Sequence, residues 1–422
     1  MKKKKLSLIL TLIIASSLNF NVLAAGNSAA KETEPQIYGK AAITIDMKTG
    51  EIIYAKDVDT KMYPASTTKL LTALLLAENK NKNDVLKYTQ KAKVQPASSL
   101  NTDLHPINAD ETMTAQDVMD GLLLYSGNDM AYVIAEGVGK DDADFMNKMN
   151  EKVKQLNLKN THFVTPNGLH DPNHYTTAYD LSTIASTAFQ NSWVRESMGK
   201  QKASIKTSKG TIFAIQNRNK LLGKEGCIGG KTGYTSDAGK CLVTVYERDG
   251  RKILGVVMKS VYDATDMAVF NDMEKVINWS YASKPTVLYK AGDIVTTKTI
   301  KYKPLIIGPE KTINVPICVK EDIGYYDNYV NKNELSKTIN LSNINTSTLK
   351  GESSIGNLTV KERNLSNNYK LYSTISKATL AKNNVPYYAA AAAAVLCIIG
   401  IVAYLVKKLI DLNRRNKRGK YI

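Results

Sequence analysis

Cysteine is scarce in this chain, and its long apolar runs are confined to the two ends. Four cysteines stand among 422 residues, Cys227, Cys241, Cys318 and Cys397. That excludes a small fold stapled by disulfides; a chain of this length can bury enough surface to do without them. Cys227 and Cys241 flank a Gly-rich segment. A hairpin turning near Asp237 would set Cys241 opposite about Tyr234 and leave Cys227 out of reach. Histidine is equally sparse, with four residues. His170 and His174 are interrupted by Asp171-Pro172, which breaks the helix that would bring them to one metal. No metal or other cofactor is expected. No internal repeat is present.

The ends are topogenic. Met1 to Ala24 carries Lys2 to Lys5, an apolar stretch from Leu6 through Ile14 and a terminal Val22-Leu23-Ala24, the layout of a secretory leader. Residues 387–406, Tyr387 to Val406, hold no charge. At about 1.5 Å per residue they match the ~30 Å hydrocarbon core of a bilayer. The Ala389–Ala394 run is only weakly apolar, so a helix lying on the membrane surface also fits. Seven basic residues follow in 407–422, and such a flank is expected on the cytoplasmic side. Everything between leader and anchor is then expected outside the plasma membrane, on a single-pass chain.

The formal charge is +18. The leader contributes four lysines and the tail a net +6, which leaves +8 for the exported part. That excess suits an anionic partner such as cell wall or lipid headgroups. Export argues against nucleic acid.

Hydrophobic patterning divides the exported part in two. Residues 34–282 read as one α+β unit. Strands are expected at Ala41–Ile45 and Ile52–Ala55. Ser66–Glu78 is apolar on nearly every face and reads as a buried helix. Thr114 with Asp117 resembles a capping box for a helix running to Tyr125. Cys241–Glu247 and Lys252–Met258 are strands around an Asp249-Gly250 turn, and Asp266–Tyr281 is helical. Strands, then helices, then strands suggest an antiparallel sheet with helices packed on it. Residues 285–376 carry short alternating stretches separated by polar turns, a small all-β module. Ser376–Pro386 reads as a tether.

Three motifs stand in order: Ser66-Thr67-Thr68-Lys69, Ser126-Gly127-Asn128 and Lys231-Thr232-Gly233. Each has a rival in the same chain. Ser197-Met198-Gly199-Lys200, Ser99-Leu100-Asn101, Ser366-Asn367-Asn368 and Lys48-Thr49-Gly50 match the same patterns but fail on order or context. Residues i and i+3 of a helix share a face, so Lys69 lies beside the Ser66 hydroxyl. Burial disfavours the ammonium and would leave a neutral amine able to take the Ser66 proton. Ser126-Gly127-Asn128 falls between two helical stretches and can project side chains into a cleft. Gly229 to Gly233 reads as an edge strand whose glycines admit a substrate backbone. Lys231 and Thr232 there form a suitable pair for a free carboxylate.

These motifs resemble those of the serine-type D-Ala-D-Ala carboxypeptidases, the low-molecular-mass penicillin-binding proteins. So do Tyr63-Pro64-Ala65, Thr165-Pro166-Asn167-Gly168-Leu169, His174-Tyr175-Thr176-Thr177-Ala178-Tyr179-Asp180-Leu181 and Tyr234-Thr235 with Ala238-Gly239. Cys227, Cys241 and Lys240 do not match the family pattern. The resemblance implies a β-lactamase/transpeptidase-like fold and peptidoglycan stem peptides ending in D-Ala-D-Ala as substrate. Ser66 would be the nucleophile, Lys69 the base and Ser126 a proton relay. Asn128 would hold substrate and position Lys69, and Lys231 with Thr232 and Gly233 would clamp the carboxylate. The backbone N–H groups of Ser66 and Tyr234 would form the oxyanion hole. β-Lactams should acylate Ser66. Two alternatives stand beside this reading: a β-lactamase of the same fold, against which no Glu-x-x-x-Asn segment lies between Ser126 and Lys231, and a catalytically idle wall-binding protein.

Overall fold

The two strands that follow residue 40 and the three that precede residue 261 share one sheet, so the chain closes on itself around its helices. The strands are β1 (Ala41–Asp46), β2 (Ile52–Lys56), β3 (Cys227–Thr235), β4 (Gly239–Arg248) and β5 (Arg251–Ser260). They pair antiparallel in the order β2-β1-β5-β4-β3, which leaves β3 on an edge. This computed structural model describes residues 33–306, 308–346, 348–349 and 352–418. The leader expected at 1–24 lies outside the described residues.

Alternation along the strands sorts side chains onto two cores. Ile43, Ile45, Val243, Val245, Leu254 and Val256 face the larger one. It also receives helices α1 (Lys69–Asn79), α2 (Asn128–Val138) and α3 (Ala178–Gln190). Ala42, Leu242, Tyr246, Ile253 and Val257 face the other, where α4 (Ala268–Ala282) lays Val269, Phe270, Met273, Val276 and Ile277 against the sheet. With both faces covered, β4 and β5 are buried through their centres, which is why they read as continuous apolar runs. Their turn, Asp249 (φ 49°) and Gly250 (φ 77°), is left-handed at both positions, as a two-residue hairpin requires.

Three elements depart from expectation in ways that matter for the site. Ser66 does not open the α-helix. It sits in a 3₁₀ turn, Ala65–Thr68, and α1 begins at Lys69. The helix capped by Thr114 is regular only over Ala115–Asp120 and widens into a π-turn at Gly121–Tyr125. The widening delivers Ser126 in a left-handed conformation, φ 72°. Cys241 pairs with Gly233, one residue from the expected register, because the β3–β4 hairpin closes at Thr235 and Gly239. Cys227 and Cys241 are both free and buried.

The β module is a second antiparallel sheet of β6 (Ile294–Tyr302), β7 (Lys311–Cys318), β8 (Ser336–Leu341), β9 (Gly356–Glu362) and β10 (Leu365–Ser373), in the order β6-β7-β10-β9-β8. Val315, Ile317, Leu358, Val360 and Leu371 fill its core. The expected tether is instead a helix, α5 (Lys377–Asn383), capped by Ser376 and anchored through Leu380 in that same core. Beyond it α6 (Val385–Arg418) is long and apolar enough to cross a membrane.

The module grips the stretch that leads into Ser66. Arg363, at the tip of the β9–β10 hairpin, forks onto Asp59 at 2.7 and 2.8 Å, pairs with Glu334 and stacks over the Tyr179 ring. Asn364 donates to the Tyr179 hydroxyl at 2.6 Å, and the Tyr329 hydroxyl accepts from the Val58 N–H at 2.8 Å. Asn328 and Asn331 both donate to the carbonyl of Ile52.

Candidate active site

The turn holding Ser66 is bent by what surrounds it. Ala65 is left-handed at φ 49°, a conformation a residue with a Cβ holds only under tertiary constraint. Gly168 supplies that constraint. It has φ +82°, and a Cβ there would fall 1.9 Å from the Ala65 carbonyl oxygen. Gly233 does the same from the other side, since a Cβ on it would lie 3.1 Å from the Ser66 nitrogen. The glycine of the third motif therefore makes room for the turn bearing Ser66, beyond the room for substrate expected of it.

In a 3₁₀ turn residues i and i+3 are eclipsed, and Lys69 lies over Ser66. Its Nζ donates to Ser66 Oγ at 2.8 Å, to Asn128 Oδ1 at 2.9 Å and to the Asn167 carbonyl at 2.8 Å. All three acceptors are neutral, and the side chain is fully buried. Burial pushes the Lys69 amine well below the ordinary lysine range. The charges of Lys231 and Arg218 push the same way, and the smaller effect of Asp129 opposes them. The rival lysine of the sequence, Lys200, is paired with Asp120 at 2.9 Å and has no such setting.

Asn128 opens α2 with both ends of its amide engaged: Oδ1 accepts from Lys69, and Nδ2 donates to the Ala97 carbonyl at 2.8 Å. Ser126 Oγ accepts from Lys231 Nζ at 2.8 Å, and the same amine donates to the Thr232 carbonyl at 2.8 Å. Lys231 is 1% exposed, and burial, then Arg218, lowers its pKa as well. The Lys231 charge in turn disfavours a charge on Lys69.

Ser66, Ser126, Thr232, Gly233 and Tyr234 line a common cleft of about 410 Å³. The structure thus brings the three motifs together, with a difference in depth. Lys69, Asn128 and Lys231 stand behind the serines, and the hydroxyls and Tyr234 face the opening. Arg218, which sequence reasoning missed, also lines it. Its Nη1 donates to Ser98 Oγ at 3.0 Å, and its guanidinium lies 4.4 Å from the Tyr125 ring centroid. Its signal was a lone arginine between Asn217 and Asn219, shortly before the Gly-rich strand.

Sequence reasoning gave His174 no role in positioning the site. It is buried, and its Nδ1 accepts from the N–H groups of Val164 and Thr165 at 3.1 and 3.3 Å, so the proton resides on Nε2 and is donated to Thr68 Oγ1 at 2.8 Å. The ring pins the loop carrying Asn167 to the turn carrying Ser66. Burial depresses its pKa to about 3, against about 6.5 in an unfolded chain. The unfolded state therefore binds the extra proton between those values, and stability contributed by the neutral ring falls as pH drops below about 6.5. The unfolding free energy from urea titration should fall by about 2–3 kcal/mol between pH 6.5 and 4.5. His174→Gln, which cannot titrate, should flatten that fall, and an equal fall in the variant would refute the assignment.

A family model described as D-alanyl-D-alanine carboxypeptidase matches residues 28–261. The chain belongs to the D-alanyl-D-alanine carboxypeptidase family. A member from Bacillus subtilis, DacF, is 28% identical over 327 residues, covering 76% of this chain and 81% of that protein. A D-alanyl-D-alanine carboxypeptidase of a Streptomyces species is 33% identical over 279 residues, covering 62% and 94%. The crystal structure of a Streptomyces DD-transpeptidase superposes with a TM-score of 0.55 at 30% identity, covering 60% of this chain and all of that one. Against this family, the three residues that matched no motif have local explanations. Lys240 is held by Asp266 and by the rings of Tyr234 and Tyr262. Cys227 packs in the smaller core. Cys241 borders the cleft, but burial pushes its thiol up to about 11, so it offers no thiolate to compete with Ser66.

Proposed function

We propose that this chain is a D-alanyl-D-alanine carboxypeptidase that works through an acyl-enzyme on Ser66. The observation that carries the proposal is the fully buried Lys69 amine, 2.8 Å from Ser66 Oγ and surrounded by neutral acceptors. A neutral amine there takes the Ser66 proton as Oγ bonds to the carbonyl between two terminal D-alanines. The oxyanion is received by the backbone N–H groups of Ser66 and Tyr234, a pairing supported by the close packing of Gly233 on the Ser66 nitrogen. Ser126, fed by Lys231, passes a proton to the departing amine, the C–N bond breaks and D-alanine leaves. Water then attacks the ester and returns a proton through Ser126 to Lys231, the C–Oγ bond breaks, and Ser66 takes back the proton held on Lys69. The Thr232 hydroxyl and Arg218 meet the terminal carboxylate from the cleft, with Lys231 behind them.

The substrate is a peptidoglycan stem peptide, and β-lactams enter as imitators of its terminus. Asp266 is the one carboxylate among the residues lining the cleft, and Lys220 and Lys240 hold it. No free carboxylate among these lining residues can serve as the added water-activating Glu of one β-lactamase class, which favours the carboxypeptidase over a β-lactamase. Residues 34–282 form the catalytic domain, 285–376 with α5 the β domain, 387–406 a single membrane span and 407–422 a cytoplasmic tail, with the catalytic domain outside.

Purified protein should release one D-alanine per pentapeptide ending in D-Ala-D-Ala and take up one penicillin per chain. Penicillin destroyed many times per minute by each chain would overturn the assignment in favour of a β-lactamase.

A further inference from the structure

The hairpin of β6 and β7 ends beside the root of α6. Its last pair is Tyr302 and Lys311. The Tyr302 hydroxyl donates to Asn384 Oδ1 at 3.1 Å, immediately before α6, and Lys311 Nζ lies 3.9 Å from the centroid of the Tyr387 ring, within its first turn. The loop that continues past this pair carries Ile306 with 98% of its surface exposed. A cavity of about 460 Å³ opens between the loop and the helices, lined by Lys303, Pro304, Lys377, Ala381 and Tyr388 among others, with no carboxylate among its lining residues. The nearest acid along the loop is Glu310, which faces Lys301 at 3.9 Å.

We propose that the stretch 303–306 is a second membrane contact, seated in the headgroup layer of the leaflet that α6 enters. The inference rests on the reading of α6 as a span. An isoleucine held almost wholly in solvent gains nothing in water, but it gains burial at the boundary of headgroups and acyl chains. Tyrosines belong at that depth, and Tyr387 and Tyr388 mark it on α6. Lys303 and Lys377, one on each side of the cavity, then face lipid phosphates, which suits an anionic bilayer. A soluble anionic polymer would account for the lysines and leave Ile306 unexplained. With two attachments the β module cannot swing freely about α6, and its grip on the segment before Ser66 holds the cleft at a fixed height above the bilayer.

The test uses the full chain in vesicles of phosphatidylcholine and phosphatidylglycerol, prepared in parallel with acyl chains brominated near the headgroup, to report on the loop, and near the bilayer centre, to report on α6. Ile306→Trp places a fluorophore on the loop, Val395→Trp places one inside α6, and the parent chain supplies the background of Trp193 and Trp279. The Ile306→Trp signal should be quenched at least about twofold and more strongly than in phosphatidylcholine alone. Lys303→Glu combined with Lys377→Glu should abolish that lipid dependence. Quenching at Val395→Trp with none at Ile306→Trp sinks the loop contact and leaves the span standing. Absence of quenching at both positions sinks the span and the loop contact together. Undiminished lipid dependence in the double lysine variant refutes the phosphate contact.

Discussion

Lys69→Arg protein should be acylated by penicillin more than about a thousandfold more slowly than the parent, and Ser66→Ala protein should take up no label. The arginine variant separates two ways in which Lys69 could serve. If a positive charge beside Ser66 were what mattered, arginine would supply it. Arginine stays protonated at every accessible pH, so it cannot accept the Ser66 proton. The site suits the neutral form: the two N–H groups of a neutral amine go to the Asn128 amide oxygen and the Asn167 carbonyl, and its lone pair is left to accept from the Ser66 hydroxyl. Among the described residues no carboxylate touches the amine, and burial is the largest cause of its lowered pKa. The sign of the pH dependence follows. A base with a depressed pKa is already neutral at a pH where an exposed lysine is still charged. The acylation rate of the parent should rise with pH through the Lys69 pKa, well below 10.5, and fall again where Lys231 loses the proton it supplies to Ser126. In Lys69→Arg the profile should be flat and low. A rate that kept climbing to pH 10 would mean that Lys69 is charged in the resting enzyme, and would end its candidacy as the base.

The parts of this site that could be read from sequence are those whose geometry is local. Ser66 and Lys69 are joined by one turn, and a 3₁₀ turn brings i and i+3 together even more directly than the α-helix expected there. Gly233 and Cys241 are joined by one hairpin, so the expected register missed by a single residue. What could not be read lies where distant loops meet. Arg218 reaches Ser98 across 120 positions, and no periodicity announces such a contact. His174 reaches Thr68 across 106. The polar turns expected of the β module gave no sign of a contact of the same kind. Asn328 and Asn331 are both buried against the Ile52 carbonyl, which the irregular pairing of β1 with β2 leaves in need of partners. α5 was hidden because seven residues carrying one buried leucine give too short a pattern to separate from linker.

The depth of Lys231 leads to the second large effect. Sequence alone casts Lys231 as the group that meets the substrate carboxylate. In the structure its Nζ points to Ser126 and to the Thr232 carbonyl, while Thr232 and Arg218 face the opening. Lys231→Ala should therefore lower acylation by about a thousandfold, for substrates with or without a terminal carboxylate, because Ser126 loses its proton partner. Folding should suffer far less: two hydrogen bonds are lost, at about 1 kcal/mol each, and the cost of burying an amine is relieved in part. Arg218→Ala should behave differently. An ionic contact in a partly closed cleft contributes about 2–3 kcal/mol, so the preference for a free carboxylate over its amide should fall by about 30- to 150-fold. The amide itself should react nearly as before. The four rates, two variants with two peptides each, form a cycle with the parent that isolates the carboxylate contact. If Lys231→Ala erased the preference for the free carboxylate while sparing the amide, the lysine would be the clamp after all, and its bond to Ser126 would be incidental to the chemistry.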